Sequence, residues 1–222
     1  MDREKLENRL AELPLLGYFF IDPKKLEFSQ RVRVVCEQEC PRYGKTWACP
    51  PGVGSVETCR RNCLGYENCL MIATVTEVSD LSDMEETLAT RAGHEIITNQ
   101  VGDLLKEQGI NPYILSTEAC AICERCAYLD GKPCRYPEKM HPCLESHGIN
   151  LIPALEENGL EFQFGGNVVT WVSLLFYEKI SGVSFWDTPH FYPYEGKYTL
   201  KSQKVSMPGI WPCSVYCHIS TR

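Results

Sequence analysis

The run Cys120-Ala121-Ile122-Cys123-Glu124-Arg125-Cys126, with Cys134 a further eight positions on, constrains this chain more than any other segment. Three cysteines separated by two residues, and a fourth a short turn away, place four thiolates around one small centre. Runs with this opening spacing hold [4Fe–4S] clusters, usually with a closer fourth cysteine ahead of a proline. Here the fourth cysteine follows a proline, in Asp130-Gly131-Lys132-Pro133-Cys134. Asp-Gly favours a turn and Pro fixes its own φ, so the loop can fold back onto the first three cysteines. Four thiolates also suit zinc, although zinc sites more often show two separated Cys-x2-Cys pairs. Cys120, Cys123, Cys126 and Cys134 are therefore read as ligands of a [4Fe–4S] cluster, with zinc as the alternative.

A second dense segment runs Cys36-Glu-Gln-Glu-Cys40-Pro41-Arg-Tyr43-Gly44-Lys45-Thr-Trp47-Ala-Cys49-Pro50-Pro51. Proline after Cys40 and after Cys49 stiffens the chain leaving each thiol without adding an N–H donor. Glycine lets backbone amides approach a cluster, where hydrogen bonds to sulfur tune its potential. Cys36, Cys40 and Cys49 are read as ligands of a second centre. Its fourth ligand is open: Cys59, Cys63, Cys69, Cys143, Cys213 and Cys217 all remain in play. With none of them, one iron would stay free for substrate, as a catalytic zinc keeps an open position. Tyr43 and Trp47 are candidates to shield this centre from water. Cys59, Cys63 and Cys69 read first as small buried hydrophobes, and His141 and His147 as hydrogen-bonded side chains rather than ligands.

Composition narrows the class. Thirteen cysteines in 222 residues are an odd number, so they cannot all pair within one chain, and a chain of this length builds a core without disulfide staples. The start, Met1-Asp2-Arg3-Glu4-Lys5-Leu6-Glu7, lacks the apolar core of a secretion leader, and no apolar run reaches membrane-spanning length. The expected location is the reducing cytoplasm, where neighbouring cysteines bind metal more often than they form disulfides. A net charge of −7 speaks against a nucleic-acid partner, and the expected partners include no membrane. Arg125, Lys132, Arg135 and Lys139 around the first motif can balance cluster charge or dock an anionic protein. Neither Gly52-Val53-Gly54 nor Gly165-Gly166 has the setting of a phosphate loop, and no nucleophile–His–acid set stands out.

Periodicity predicts a helix over 2–13, a strand over 18–21, a returning strand over 26–35, a loop over 36–69 and a buried strand over 69–78. Ser82-Asp83-Met84-Glu85 reads as a capping box that opens a helix to about Gln108. Its expected apolar stripe is Met84, Leu88, Ala92, Ile96, Ile97, Val101, Leu104 and Leu105, with Gly109 as the stop. A short strand over 113–117, a helix from Asn150 to Glu157 and a buried strand over 168–177 follow. The expected fold is α+β, a mixed or antiparallel sheet with helices packed on it and long cysteine-rich metal-binding loops. The expected division is a core domain over 1–180 and an irregular, aromatic-rich extension over 181–222.

Both cysteine motifs resemble domain of unknown function 2284, a family labelled predicted metal-binding proteins. The matching residues are Val32-Arg33, Cys36, Cys40, Tyr43-Gly44-Lys45 and Cys49-Pro50-Pro51 in the first half. In the second they are Cys120, Cys123, Cys126, Cys134, Arg135, Pro137-Glu138-Lys139, Pro142, Glu145 and Gly148-Ile149. The resemblance covers roughly residues 15–180. It implies a cytoplasmic iron–sulfur or metal protein of the kind found in anaerobes, with a redox partner in corrinoid or methyl-transfer metabolism. Cys143 departs from the pattern, since the family commonly has Ser there. Motifs and resemblance together predict an electron carrier with one or two [4Fe–4S] clusters. The alternatives are a redox enzyme with an open iron and a zinc-stabilised binding module.

Overall fold

The computed structural model describes residues 1–117, 119–160, 166–178 and 190–191. Two long strands carry it. β3 (Asn68–Glu77), reached after β1 (Gly17–Ile21) and β2 (Glu27–Phe28), pairs antiparallel along its whole length with β6 (Val168–Tyr177), from Asn68 opposite Tyr177 to Glu77 opposite Val168. β1 lies on the far side of β3, β4 (Tyr113–Leu115) on the far side of β6, and β7 (His190–Phe191) beyond β1. The sheet order is β4-β6-β3-β1-β7, antiparallel throughout, and β2 pairs separately with β5 (Ile149–Asn150). The only described part of the 181–222 extension is thus a short strand on the sheet edge.

Antiparallel sheets commonly leave one face wet and alternate apolar with polar. Here every β3 residue but Glu77 is buried, because both faces are covered. On one face Tyr18, Leu70, Ile72, Leu175 and Tyr177 meet Leu6 and Leu10 of α1 (Arg3–Leu10) and Ile97, Val101 and Leu105 of α4 (Met84–Glu107). On the other, Phe19, Met71, Ala73, Leu174 and Phe176 meet Cys63, Leu144, Ile149 and Leu155. Each such Leu or Phe contributes about 1.5–3 kcal/mol on burial. The α+β architecture with an antiparallel sheet is the one expected, and Cys63 and Cys69 and the Leu144 segment pack on the second face. Among the described residues no helix is long and apolar enough to cross a membrane.

Three local expectations are corrected. The returning strand over 26–35 ends at Phe28. Ser29 then caps α2 (Gln30–Gln38) by accepting from the Arg31 amide, and the buried positions Arg33 and Cys36 stand three apart. The helical period wins over the short alternation that suggested a strand. The loop over 36–69 contains α3 (Val56–Leu64), capped by Ser55, whose Oγ accepts from the Thr58 amide, with Cys59 and Cys63 on its buried face. In α4 the cap is Asp83, not Ser82: Asp83 accepts from the Glu86 amide, while Glu86 accepts from the Ser79 amide.

The apolar stripe assigned to α4 holds only in its second half. Ile96 is exposed, and the buried positions of the first half are Thr87, Thr90 and His94, followed by Ile97 and Thr98. Thr90, His94 and Thr98 each find a partner in the helix or sheet. His94 Nδ1 is 2.8 Å from Thr74 Oγ1 and its Nε2 is 2.7 Å from Ser173 Oγ. Thr98 Oγ1 lies 3.0 Å from Ser173 Oγ, and the Trp171 indole donates to Thr90 Oγ1 at 2.7 Å. A polar stripe is buried here because strand hydroxyls satisfy it.

Burial pulls the His94 pKa down to about 4, so the ring is neutral in the folded protein. An unfolded histidine titrates near 6.5, so below that pH the unfolded chain binds more protons and stability falls as pH falls toward 4. His94 alone should cost about 2 kcal/mol between pH 7 and pH 5. His147, lowered to about 4 by burial, steepens the same dependence. Denaturant unfolding at the two pH values measures this, and His94→Gln should flatten the slope. An equal slope in the variant would show that His94 is not held neutral.

Candidate metal centre

Cys120, Cys123, Cys126 and Cys134 are each partly buried, and all four line one cavity of about 590 Å³. A 3₁₀ turn over Ala127–Asp130 ends at Gly131, whose φ of 62° is left-handed and suits glycine. The Lys132 amide then donates to the Ala127 carbonyl at 3.0 Å, and the chain returns Cys134 to the first three cysteines. Arg135 Nη1 donates to the Arg125 carbonyl at 2.8 Å, and Arg125 pairs with Asp130 at 2.8 Å, which brace the loop.

The opposite wall of the cavity is Arg42, Lys45, Thr46, Trp47 and Ala48, the segment between Cys40 and Cys49. Trp47 docks the two cysteine loops together. Its Nε1 donates to the Lys132 carbonyl at 2.9 Å, and its ring meets Tyr128 edge-to-face with centroids 4.9 Å apart. Burial raises the Cys120 thiol, while the Ile122 amide and the Arg91 charge work to lower it. Both are features that favour a thiolate.

In the second motif Cys36 and Cys49 are buried and Cys40 is half-buried. The Arg42 amide donates to Cys40 Sγ at 3.4 Å. The loop closes through Gly44 N–H to the Pro50 carbonyl at 2.8 Å and Cys49 N–H to the Thr46 carbonyl at 3.3 Å. Burial pushes the Cys49 thiol up to about 12; the Thr46 hydroxyl and Arg42 pull it down, and Cys40 and Cys36 push it further up. The Thr46 hydroxyl is itself buried and meets no atom in good hydrogen-bond geometry. Without a cation the Cys49 thiol stays neutral, so metal binding at Cys49 must release a proton. Gly52 is a packing requirement: a Cβ there would stand 2.7 Å from the Thr46 carbonyl oxygen, 3.1 Å from that of Cys49 and 3.2 Å from Trp47 Cα.

Buried Arg33 fixes α2, and with it Cys36. It donates to the Ser146 carbonyl (2.9 Å from Nε), to the Gly54 carbonyl at 2.6 Å and to Cys59 Sγ at 3.5 Å. Val32-Arg33 belongs to the residues that carry the family resemblance, but the three acceptors of Arg33 come from distant segments, so the sequence did not show this role. Glu95 was missed as well. Burial works to raise it, yet His141, Arg91 and Ser116 hold it below the usual carboxylate range.

The other thiols and histidines have defined surroundings. Cys63 and Cys69 lie in the apolar core with Phe19 and Phe176, and the Cys59 thiol faces the Val53 carbonyl at 3.4 Å. His141 Nδ1 is 3.5 Å from Glu95 Oε2, and His147 Nε2 is 2.7 Å from the Tyr113 hydroxyl. Cys213 and Cys217 lie outside the described residues. Among the described residues all eleven cysteines are free, and no three His, Cys, Asp or Glu side chains converge tightly enough to hold a single metal ion.

Comparison with known proteins gives one match. A family described as predicted metal-binding protein, domain of unknown function 2284, matches residues 19–177, which span both cysteine motifs and the sheet from β1 to β6. No curated protein and no solved structure matches the chain.

Gly52→Ala must open the Cys36–Cys49 loop, because all three of its clashes are with backbone. Overpacking of this kind costs roughly 1–3 kcal/mol. The expected result is a lower unfolding midpoint and faster alkylation of Cys49, read by mass spectrometry. Unchanged stability and unchanged alkylation would show that the loop is not closed around Gly52.

Proposed function

The chain belongs to that family of predicted metal-binding proteins, and from this premise we propose that it is an iron–sulfur protein that carries electrons. Cys120, Cys123, Cys126 and Cys134 hold a [4Fe–4S] cluster, and Cys36, Cys40 and Cys49 belong to a second centre. One observation carries the reading: the four cysteines of the first motif line a single cavity of about 590 Å³.

The donors fit the group. They are four soft thiols, which suit iron–sulfur clusters and zinc alike. Zinc draws its ligands to about 2.3 Å from one ion, whereas a four-iron cluster spreads its thiolates over different irons. The cavity, at about 590 Å³, has room for a group larger than a single ion. Arg42, Lys45 and Arg125 line it against one carboxylate, Glu124, so its walls offer counter-charge to an anionic cluster. A bound [4Fe–4S] cluster supplies one-electron redox chemistry at a potential set by burial and by hydrogen bonds to sulfur. The protein's part is to hold the thiols, direct the Ile122 and Arg42 amides at Cys120 and Cys40, and keep Trp47 and Tyr128 packed at the joint of the two loops. The 42–48 segment belongs to the second motif and walls the first cavity, which favours electron passage between the two centres.

The partner in this reading is an acidic redox protein, in the corrinoid or methyl-transfer setting that the resemblance implies, and the setting is the reducing cytoplasm of an anaerobe. Ile122, Leu129 and Tyr136 are exposed around the first motif, and Lys45, Arg125, Lys132, Arg135 and Lys139 are exposed beside them. With Glu124, Asp130 and Glu138 exposed in the same stretch, five cations stand against three carboxylates, a net positive and partly apolar patch on a chain that is acidic as a whole.

Anaerobic purification with iron, sulfide and zinc determination tests the reading. About four irons per chain means one cluster and about eight means two. A colourless, iron-free, zinc-loaded protein would overturn it in favour of a zinc-stabilised module. Charge reversal at Lys132 and Lys139 to Glu should slow reduction by an acidic one-electron donor protein roughly tenfold at low salt. Reduction by dithionite should be unaffected, and an equal effect on both would refute the docking face.

A further inference from the structure

Cys143 belongs to neither motif, yet the fold delivers it to the second one. It is 1% exposed. Its strand-like segment runs beside the end of β4, where Ser116 and Cys143 form a parallel bridge, the Ser116 amide donates to the Pro142 carbonyl at 2.9 Å and the Leu144 amide to the Ser116 carbonyl at 3.2 Å. The turn that follows is pinned to α2, the helix of Cys36. Arg33 donates to the Ser146 carbonyl, and the Ser29 amide donates to the Gly148 carbonyl at 2.7 Å. Gly148 has a φ of 72°, and a Cβ there would stand 2.8 Å from the Ser29 carbonyl oxygen, so the two segments cannot be further separated by a side chain.

The electrostatic neighbourhoods sort the thiols. Arg33 also donates to the Gly54 carbonyl at 2.6 Å, and the Gly54 amide to the Pro51 carbonyl at 2.9 Å, so one guanidinium ties the Cys143 turn, α2 and the loop that leaves Cys49 together; after burial and Glu145, Cys49 and Cys36 are the groups that act on the Cys143 thiol. Cys49 in turn is reached by Cys40 and Cys36. Cys120 is reached by Cys134 and Cys126, and Cys63 by Cys59, so these form separate groups. Backbone amides are directed at the sulfurs of two of the four, Cys143 and Cys40. The Ser146 amide donates to Cys143 Sγ at 3.3 Å and the Arg42 amide to Cys40 Sγ at 3.4 Å. Beside Cys49 lies the Thr46 hydroxyl, 3% exposed and without a partner in good geometry, which a thiolate at Cys49 would provide. Among the described residues the rival fourth ligands are engaged elsewhere: Cys59 between Arg33 and the Val53 carbonyl, Cys63 and Cys69 in the apolar core.

We propose that Cys143 is the fourth thiolate of the second centre, so that Cys36, Cys40, Cys49 and Cys143 form a closed four-cysteine site with no iron left open to substrate. This rests on the iron–sulfur reading above. It also deepens it, because a closed site is built to pass electrons and not to bind a substrate at iron.

The test separates a ligand from a merely structural thiol, using the full chain purified anaerobically. A structural buried thiol tolerates alanine and resists a buried carboxylate. A ligand does the reverse, since a carboxylate can take its place at iron. Cys143→Ala should lower iron from about eight to about four per chain, matching Cys36→Ala, and the four that remain at Cys120–Cys134 show that the variant has folded. Cys143→Asp should keep more than six irons and shift the electron paramagnetic resonance spectrum of the reduced second cluster. If Cys143→Ala keeps all eight with an unchanged spectrum while Cys36→Ala loses four, Cys143 is not a ligand and the iron–sulfur reading stands. If Cys36→Ala loses none, there is no second centre and the assignment falls with it.

Discussion

The buried guanidinium of Arg33 is the contact on which the arrangement of thiols depends. A charged group leaves water only when its donors are satisfied, and Arg33 satisfies them on three segments at once: the Ser146 turn, the Gly54 loop and the Cys59 thiol of α3. It thereby sets α2 against the segment that follows Cys143 and the loop that follows Cys49. Lysine could not replace it, because a point charge lacks the planar fork that reaches several acceptors together. The same charge helps hold His147 neutral, behind the larger effect of burial.

Arg33 can serve this way because the sheet behind it is rigid. Ten antiparallel pairs between β3 and β6, buried on both faces, give the thiol loops a fixed floor. The two faces have different tasks. The α1–α4 face is apolar at one end and a satisfied polar stripe at the other. That stripe continues through Ser173 and Ser116 to Glu95, whose neighbours Arg91 and His141 stand beside Cys120 and the Cys143 segment. Hydrogen-bonded side chains therefore connect the interior of the sheet to the edge of both cysteine groups, and the loops are tied to the core by polar contacts as well as by packing.

Much of this was legible in the order of residues. β3, β6 and the second half of α4 carry long, consistent periods, and Cys120–Cys134 carry a spacing that is its own structural statement. What was not legible is what depends on contacts distant in sequence. The Thr87–Thr98 stripe reads as exposed until Thr74, Ser173 and Trp171 arrive from other elements. Ser29 turns 30–38 into a helix because one cap and a three-residue spacing outweigh a brief alternation. Cys143 is the sharpest case: its neighbours Cys36 and Cys49 come from the other end of the chain, and nothing in local spacing marks it out from Cys59, Cys63 or Cys69.

Burial and ligation pull these thiols in opposite directions, and the opposition says how the site must be assembled. Burial pushes Cys49 up to about 12 and raises Cys143 and Cys120, so the protein without metal holds them protonated. A metal binds the thiolate, so loading a metal centre at these thiols would expel protons and gather negative charge in a poorly solvated place. That state is tolerable only where positive charge and oriented amides are already present. Arg33 and Arg42 stand at the second group and Arg91 near the first, with the amides of Arg42, Ser146 and Ile122 directed at sulfur. The charges and amides come from helices and turns that the sheet has already positioned. Folding therefore prepares the compensation before any metal arrives, with Trp47 and Arg33 already holding the loops in place.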